Sequence, residues 1–388
     1  MSWRNDIFHL QPDEDYSIAQ RRATLSSMNV AVALRRVSIL IDFRGHALDF
    51  VAVIVFDGPI LTSQFLPSNS AADVHFIFSF VGVIMRIVFV GAVESSKIAL
   101  EALIKAGRPP ALVITLPPEA AGRHSDFVDL GNLALAAGSA VHHTTDINAL
   151  ETLEAVTAVA PDLTLVIGWS QVCRRPFREI ARVGTAGFHP AALPRLRGRG
   201  VIPWTILRGE EKTGSTLFWL DDGVDSGPIL LQRQFPVDPD ETARSLYTKH
   251  TENLAQMIVE AAAQVEAGNA ARAEQNQAEA SYCAKRTAED GLIDWRQSAA
   301  SILRLIRAVG APYPGAFTFY NGQKIRIDAA VPVENSRRFI GLTGQIQAIT
   351  ERGFIVLCGD AECIEATSWE WAPERRPPIH AKLGGTAA

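Results

Sequence analysis

Between Met85 and Gly168 the chain alternates short β-branched runs with longer segments of helical character, and this alternation narrows its fold more than any other feature. Met85-Arg86-Ile87-Val88-Phe89-Val90-Gly91 reads as a strand closed by glycine, followed by a helix over Ser95 to Ala106. Ala111 to Leu116, Ala140 to His143 and Leu163 to Gly168 read as further strands, with helices predicted over Asp126 to Ala137 and Asn148 to Val159. Strands alternating with helices imply an α/β fold with a doubly wound parallel sheet. The turn Gly91-Ala92-Val93-Glu94 lacks the glycine spacing of a dinucleotide fingerprint, which argues against a nicotinamide cofactor.

A chain of 388 residues, 47% apolar and 20% charged, has room for two or three domains with sizeable cores. Its net charge of −5 gives no overall basic character of the kind that marks nucleic-acid binding. Cys173, Cys283, Cys358 and Cys363 are scattered without metal-ligand spacing, so no metal is expected and a reduced, cytoplasmic enzyme fits. Residues 1–84 mix a polar start with apolar runs such as Val37 to Ile41 and Phe50 to Phe56. The apolar stretch His75 to Val93 is long enough for a membrane span, but Arg86 interrupts it and residues 85–91 read better as a first strand. Met85 is therefore expected to be the natural start and residues 1–84 a mis-assigned extension, with an extra domain or anchor as the alternative; no membrane partner is expected.

Two turn-rich stretches follow the alternating region. Gly187-Phe188-His189-Pro190-Ala191-Ala192-Leu193-Pro194-Arg195-Leu196-Arg197-Gly198 breaks into proline, glycine and arginine, as loops at the ends of open sheets do. Asp221-Asp222-Gly223-Val224-Asp225-Ser226-Gly227 is an acidic loop after a strand-like run, Ser215 to Leu220. A histidine oriented by a carboxylate is a common acid–base unit. The plainer alternative is that His189 caps a turn and Asp225 fixes a tight acidic loop.

Together these stretches resemble the signature of the folate-dependent formyltransferases, which include methionyl-tRNA formyltransferase, glycinamide ribonucleotide formyltransferase and the amino-sugar N-formyltransferases. That signature is Asn-x-His-Pro-Ser-Leu-Leu-Pro-x-x-Arg-Gly followed by Asp-(Thr/Ala/Ser)-Gly. Val201 to Glu210, with its Pro203-Trp204-Thr205-Ile206, and the Thr213-Gly214-Ser215-Thr216 strand match further family stretches. The resemblance implies that His189 and Asp225 are catalytic, His189 assisting at the formyl carbon and Asp225 orienting or charging it. The co-substrate would be 10-formyltetrahydrofolate. Its pterin would lie against Ile167, Gly168, Trp169 and the loop Asp221, Asp222, Gly223 and Val224, while Arg195, Arg197 and Gly198 would face the acceptor. One position departs: Gly187 stands where the family has an asparagine that donates a hydrogen bond to the formyl oxygen. Ser170 or Gln171 is a candidate replacement donor; a changed acceptor or a catalytically weak folate- or nucleotide-binding protein is the alternative.

Arg174, Arg175, Arg178, Arg195, Arg197 and Arg199 form a local basic group suited to the phosphates of a nucleotide sugar or a folate glutamate tail, or simply to solvent. Glu241 to Gly268 has Leu246, Leu254, Met257, Ala261 and Val265 on one helical face, the mark of a core helix. Ala270 to Ala280 is polar and reads as a linker. Beyond it, Arg286 to Trp295 and Pro312-Tyr313-Pro314-Gly315-Ala316-Phe317 resemble the C-terminal region shared by methionyl-tRNA and UDP-aminoarabinose formyltransferases, the latter piece leaning toward the sugar enzyme. Thr318 to Trp371 alternates short strands with glycine turns, as a small open β-barrel would. The expected order is an unassigned extension (1–84), a formyltransferase α/β domain (85–269), a linker (270–284), a C-terminal helix with an OB-like β domain (285–372) and a loose tail (373–388). The acceptor is expected to be a small-molecule amine, a nucleotide-linked amino sugar. Methionyl-tRNA is the rival, disfavoured because residues 340–371 carry more acid than base.

Overall fold

The computed structural model describes residues 85–384, apart from 124–125 and 372–375, together with the backbone of four strands in residues 1–84. These strands, β1 (Val37–Arg44), β2 (Asp49–Phe56), β3 (Leu61–Phe65) and β4 (Phe76–Phe80), form an antiparallel sheet in sequence order. They belong to a unit separate from residues 85–388.

In the second unit, β5 (Ile87–Val90), β6 (Leu112–Thr115), β7 (Ala140–His143), β8 (Leu163–Val166) and β9 (Gly184–His189) run parallel. After the two-residue β10 (Arg197–Gly198), β11 (Lys212–Trp219) and β12 (Ile229–Pro236) extend the sheet antiparallel, giving the order β12-β11-β9-β8-β5-β6-β7. The strands β5, β6 and β8 are buried at every residue because helices cover both faces. Ile87 and Phe89 point into one core with α1 (Glu94–Lys105) and α6 (Ala243–Glu266). Val88 and Val90 point into the other, with α3 (Leu150–Val159) and α4 (Arg175–Arg178). The five apolar residues predicted as the core face of α6 are buried, and Thr242 caps its start by accepting from the Ser245 N–H.

The second predicted helix is shorter than expected: α2 covers only Gly131–Ala136. Tertiary pairing takes its first turn, since Phe127 bridges Val93 and the Val128 N–H donates to the Ala92 carbonyl. After α6, Tyr282–Cys283 forms β13, parallel to β10. Then α7 (Ala299–Val309) packs on a five-stranded antiparallel sheet, β14 (Ala316–Tyr320), β15 (Gln323–Pro332), β18 (Cys363–Trp371), β17 (Phe354–Leu357) and β16 (Ile346–Ile349), in that order. Ile302 and Ile306 of α7 share one core with Ile325 and Ile364 of this sheet, with Leu246 of α6, and with Ile202 and Ile206 of α5 (Val201–Leu207). Helix α5 begins just beyond β10, so the C-terminal sheet is packed directly behind the His189 loop.

Among the described residues, no helix is long and apolar enough to cross a membrane and no group of three His, Cys, Asp or Glu side chains is placed to hold a metal.

Candidate active site

Side chains alternate across a strand, so Gly187 and His189 of β9 share one face of the sheet. His189 is 4% exposed and clamped at both ring nitrogens. Its Nε2 lies 2.7 Å from the Leu196 carbonyl oxygen. A carbonyl only accepts, so Nε2 carries a proton. Nδ1 faces Asp225 Oδ2 at 3.4 Å. The same Oδ2 accepts the Gly198 N–H at 2.7 Å, and the Asp225 side chain keeps 22% of its surface open to solvent. Gly198 has φ +101°, and a Cβ there would sit 2.5 Å from the Cys283 carbonyl oxygen; only glycine lets β10 run this close to β13 while its N–H reaches Asp225.

The acidic loop is braced from within: Asp221 Oδ1 accepts from the Gly223 N–H at 3.0 Å and from the Ser226 hydroxyl at 2.8 Å. Arg178, buried, donates to the Asp221 carbonyl and the Asp222 carboxylate. That contact holds the Asp222 carboxyl below its ordinary range, although its side chain is 85% exposed. Val224 is exposed at the loop's tip.

Several residues expected at the site have structural partners of their own. Ile167 is fully buried; its N–H donates to the Val90 carbonyl and its own carbonyl accepts from Ser96 Oγ at 2.7 Å. Gly168, at φ +65°, carries the chain out of β8, and Trp169 follows, packed with Leu220 on the core beneath the sheet. Arg195 pairs with Glu210 at 2.8 Å. Arg197 is fully buried, held by Gln275, Gln277 and the Tyr282 hydroxyl, and cannot face an acceptor. The Gly198 N–H is taken by Asp225. Within the expected basic group, Arg175 pairs with Glu179 and Arg178 with the acidic loop.

The position of the family asparagine is filled from elsewhere. A Cβ built on Gly187 would lie 2.8 Å from Leu220 Cδ2, the end of a half-buried side chain at the start of the acidic loop. Gln171 spends one amide hydrogen on the Thr145 carbonyl at 2.6 Å, and its oxygen accepts the Ile147 N–H at 3.0 Å. The Trp169 indole N–H, which packs in the same cluster as Leu220, is buried without a hydrogen-bond partner among the described residues. An unsatisfied buried donor of this kind costs about 1–3 kcal/mol, a reason to look for a ligand that meets it. No side-chain motif in the sequence announces either Leu220 or the Trp169 N–H.

A second buried histidine, His250 of α6, lies on the other face of β11. Its Nδ1 is 2.9 Å from Ser215 Oγ, and its Nε2 has no partner among the described residues. Burial, with a smaller contribution from His189, pushes its pKa down to about 3.

Two family models match the chain: formyl transferase over residues 85–262 and formyl transferase, C-terminal domain, over residues 285–380. A methionyl-tRNA formyltransferase of Syntrophus aciditrophicus is 34% identical over 279 residues, 71% of this chain and 88% of that protein. Two crystal structures share the fold. HypX from Aquifex aeolicus, in complex with tetrahydrofolic acid, superposes with a TM-score of 0.54 at 20% identity, covering 74% of this chain and 44% of that one. An N-formyltransferase from Helicobacter canadensis, in complex with folinic acid and dTDP-3-aminofucose, superposes at 0.52 and 20% identity, covering 73% and 99%. With family models spanning both the α/β and the C-terminal regions and a relative aligned along most of its length, the chain belongs to the formyltransferase family.

Proposed function

We propose that the protein transfers the formyl group of 10-formyltetrahydrofolate to the α-amine of methionyl-tRNA, through Asp225 and His189. The observation that carries the chemistry is the His189–Asp225 pair at 3.4 Å, buried at the ring and open at the carboxylate. The folate supplies the formyl group, and a proton must leave the incoming amine and reach the departing nitrogen. Asp225 is the exposed member and takes that proton. With Nε2–H committed to Leu196, Nδ1 is the ring atom that shares the proton with Oδ2. The Gly198 N–H holds the carboxylate toward His189 throughout. The Trp169 indole N–H takes the place of the missing asparagine, donating to the oxygen on which charge develops. Trp169, Gly168 and the exposed end of the acidic loop remain the surfaces against which the pterin is held.

The acceptor reading rests on the 34%-identical relative and on a basic ridge beside the His189 loop. Helix α5 is bordered by exposed Arg199, by Arg208, which pairs with Glu210 at 3.0 Å, by Arg286, whose guanidinium lies 4.9 Å from the Trp204 ring centre, and by Arg304, which packs at Gly209. The acid excess in residues 340–371 belongs to β16, β17, β18 and their connections rather than to α5 itself. A nucleotide amino sugar is the second reading, supported by the Helicobacter canadensis enzyme's bound dTDP-3-aminofucose. Formyl transfer from 10-formyltetrahydrofolate to methionyl-tRNA and to a panel of nucleotide amino sugars separates the two. Turnover on methionyl-tRNA, abolished by His189→Ala and by Asp225→Ala, is expected; turnover on the sugars alone would replace the acceptor, and transfer to neither would overturn the enzymatic reading.

A further inference from the structure

The segment that reads as a linker crosses the site, and one of its side chains ties the two catalytic loops together. Gln275 is 6% exposed. Its Oε1 accepts from Arg197 Nη2 at 2.6 Å and Nε at 3.2 Å, while its Nε2 donates to the Asp225 carbonyl at 2.9 Å and the Gly227 carbonyl at 2.7 Å. Chemistry alone fixes which way the amide points. A guanidinium only donates and a peptide carbonyl only accepts, so Oε1 must face Arg197 and Nε2 must face the acidic loop.

Arg197 makes that orientation strong. It is fully buried, and among the described residues no carboxylate lies within salt-bridge distance; Gln275, Gln277, the Tyr282 hydroxyl and the Tyr282 ring surround it instead. A buried cation without a counter-ion depends on every acceptor it has, and charge-assisted hydrogen bonds are about twice as strong as neutral ones. At the other end, Asp225 sits at φ +49°, a left-handed conformation that a non-glycine residue keeps only when its surroundings hold it. The two carbonyls that Nε2 grips flank Ser226, so the grip spans the turn that aims the Asp225 carboxylate back at Gly198 and His189.

We infer that Gln275 is a positioning residue: through Arg197 on the His189 loop and the Asp225 and Gly227 carbonyls on the acidic loop, it sets the His189–Asp225 geometry. The inference rests on the proposed catalytic role of that pair, but the geometric part is testable without turnover.

Gln275→Glu keeps an acceptor for Arg197 and removes both donors to the loop. Gln277→Met removes an Arg197 partner but touches no part of the acidic loop, and so reports the structural cost alone. Hydrogen exchange of the full chain over residues 193–200 and 221–228 is expected to quicken by about tenfold in Gln275→Glu, with the melting temperature close to that of Gln277→Met, in which residues 193–200 loosen while exchange over 221–228 stays near wild type. The formyl-transfer kcat of Gln275→Glu is expected to fall by about tenfold or more, with KM for the formyl donor changed by less than about threefold and a shifted pH profile. Unchanged exchange in both segments, or equal kcat losses in the two variants, would overturn the positioning role. Quickened exchange in a wild-type background that transfers no formyl group would uphold the tether while removing the formyl-transfer reading.

Discussion

His189 and His250 are buried to almost the same depth, 4% and 1% exposed, against opposite faces of the same strand pair. In β11, Thr216 stands opposite His189 in the ladder with β9, and its neighbour Ser215 reaches His250 of α6. The partners differ completely. His189 has a carbonyl at one nitrogen and a carboxylate at the other. His250 has a hydroxyl at one nitrogen and nothing at the other, with the edge of Phe235 beside it, and its charged form is suppressed. Burial makes a histidine's protonation sensitive; the atoms at its two nitrogens decide whether it can move protons.

The largest effect should come from removing the partner that distinguishes the two. Asp225→Asn leaves a side chain of the same shape, and kcat is expected to fall by about 1,000-fold, within the usual range for a lost acid–base group; a loss under about tenfold would mean that the carboxylate carries no proton. Trp169→Phe keeps the ring and deletes the N–H, and should lower kcat by about 100-fold if that donor stands in for the family asparagine. The complementary variant, Gly187→Asn, should partly rescue Trp169→Phe, and more so with Leu220→Ala, which clears the atom 2.8 Å from the new Cβ. Absence of rescue in the triple variant would place the donor elsewhere.

The His250 side of the contrast appears in stability instead. Its folded pKa, about 3, lies below the unfolded value near 6.5, so the unfolded chain binds the extra proton first. Its contribution is fully present above about pH 6.5 and is lost as pH falls toward 3, at about 1.4 kcal/mol per pH unit. Denaturant melts of wild type and His250→Gln between pH 7 and 4.5 should converge as pH drops, with kcat at pH 7 within about threefold; a large kcat loss at unchanged stability would erase the distinction between the two histidines. Salt gives a further test: KM for methionyl-tRNA should rise by about 100-fold between about 50 and 200 mM if four phosphates are neutralised along α5.

Much of this was legible in the chain. The αβ alternation gave the sheet, since a strand covered on both faces must be uniformly apolar, and β5, β6 and β8 are. The face of α6 followed from its apolar spacing, and the His and Asp motifs marked the loops that meet. Boundaries failed where long-range pairing overrode local preference, as at Phe127 and Val128, which serve the β5 turn instead of α2. The arginines were the poorest guide. Arg195 and Arg197 stand two residues apart in one loop, yet one is exposed against Glu210 and the other fully buried among amides.

What the sequence determined by itself was the family, the layered fold and the His189–Asp225 pair proposed to carry the chemistry, because these depend on periodicity and on short motifs whose members are close along the chain. Tertiary structure alone decided which nitrogen of His189 is committed, that Leu220 occupies the room beside Gly187, that Trp169 keeps an unmet donor, and that Gln275 spans both loops. Except for the His189–Leu196 contact, which closes within one loop, these depend on groups tens of residues apart, whose meeting is set by how the sheet, the acidic loop and the segment after α6 fold back on one another.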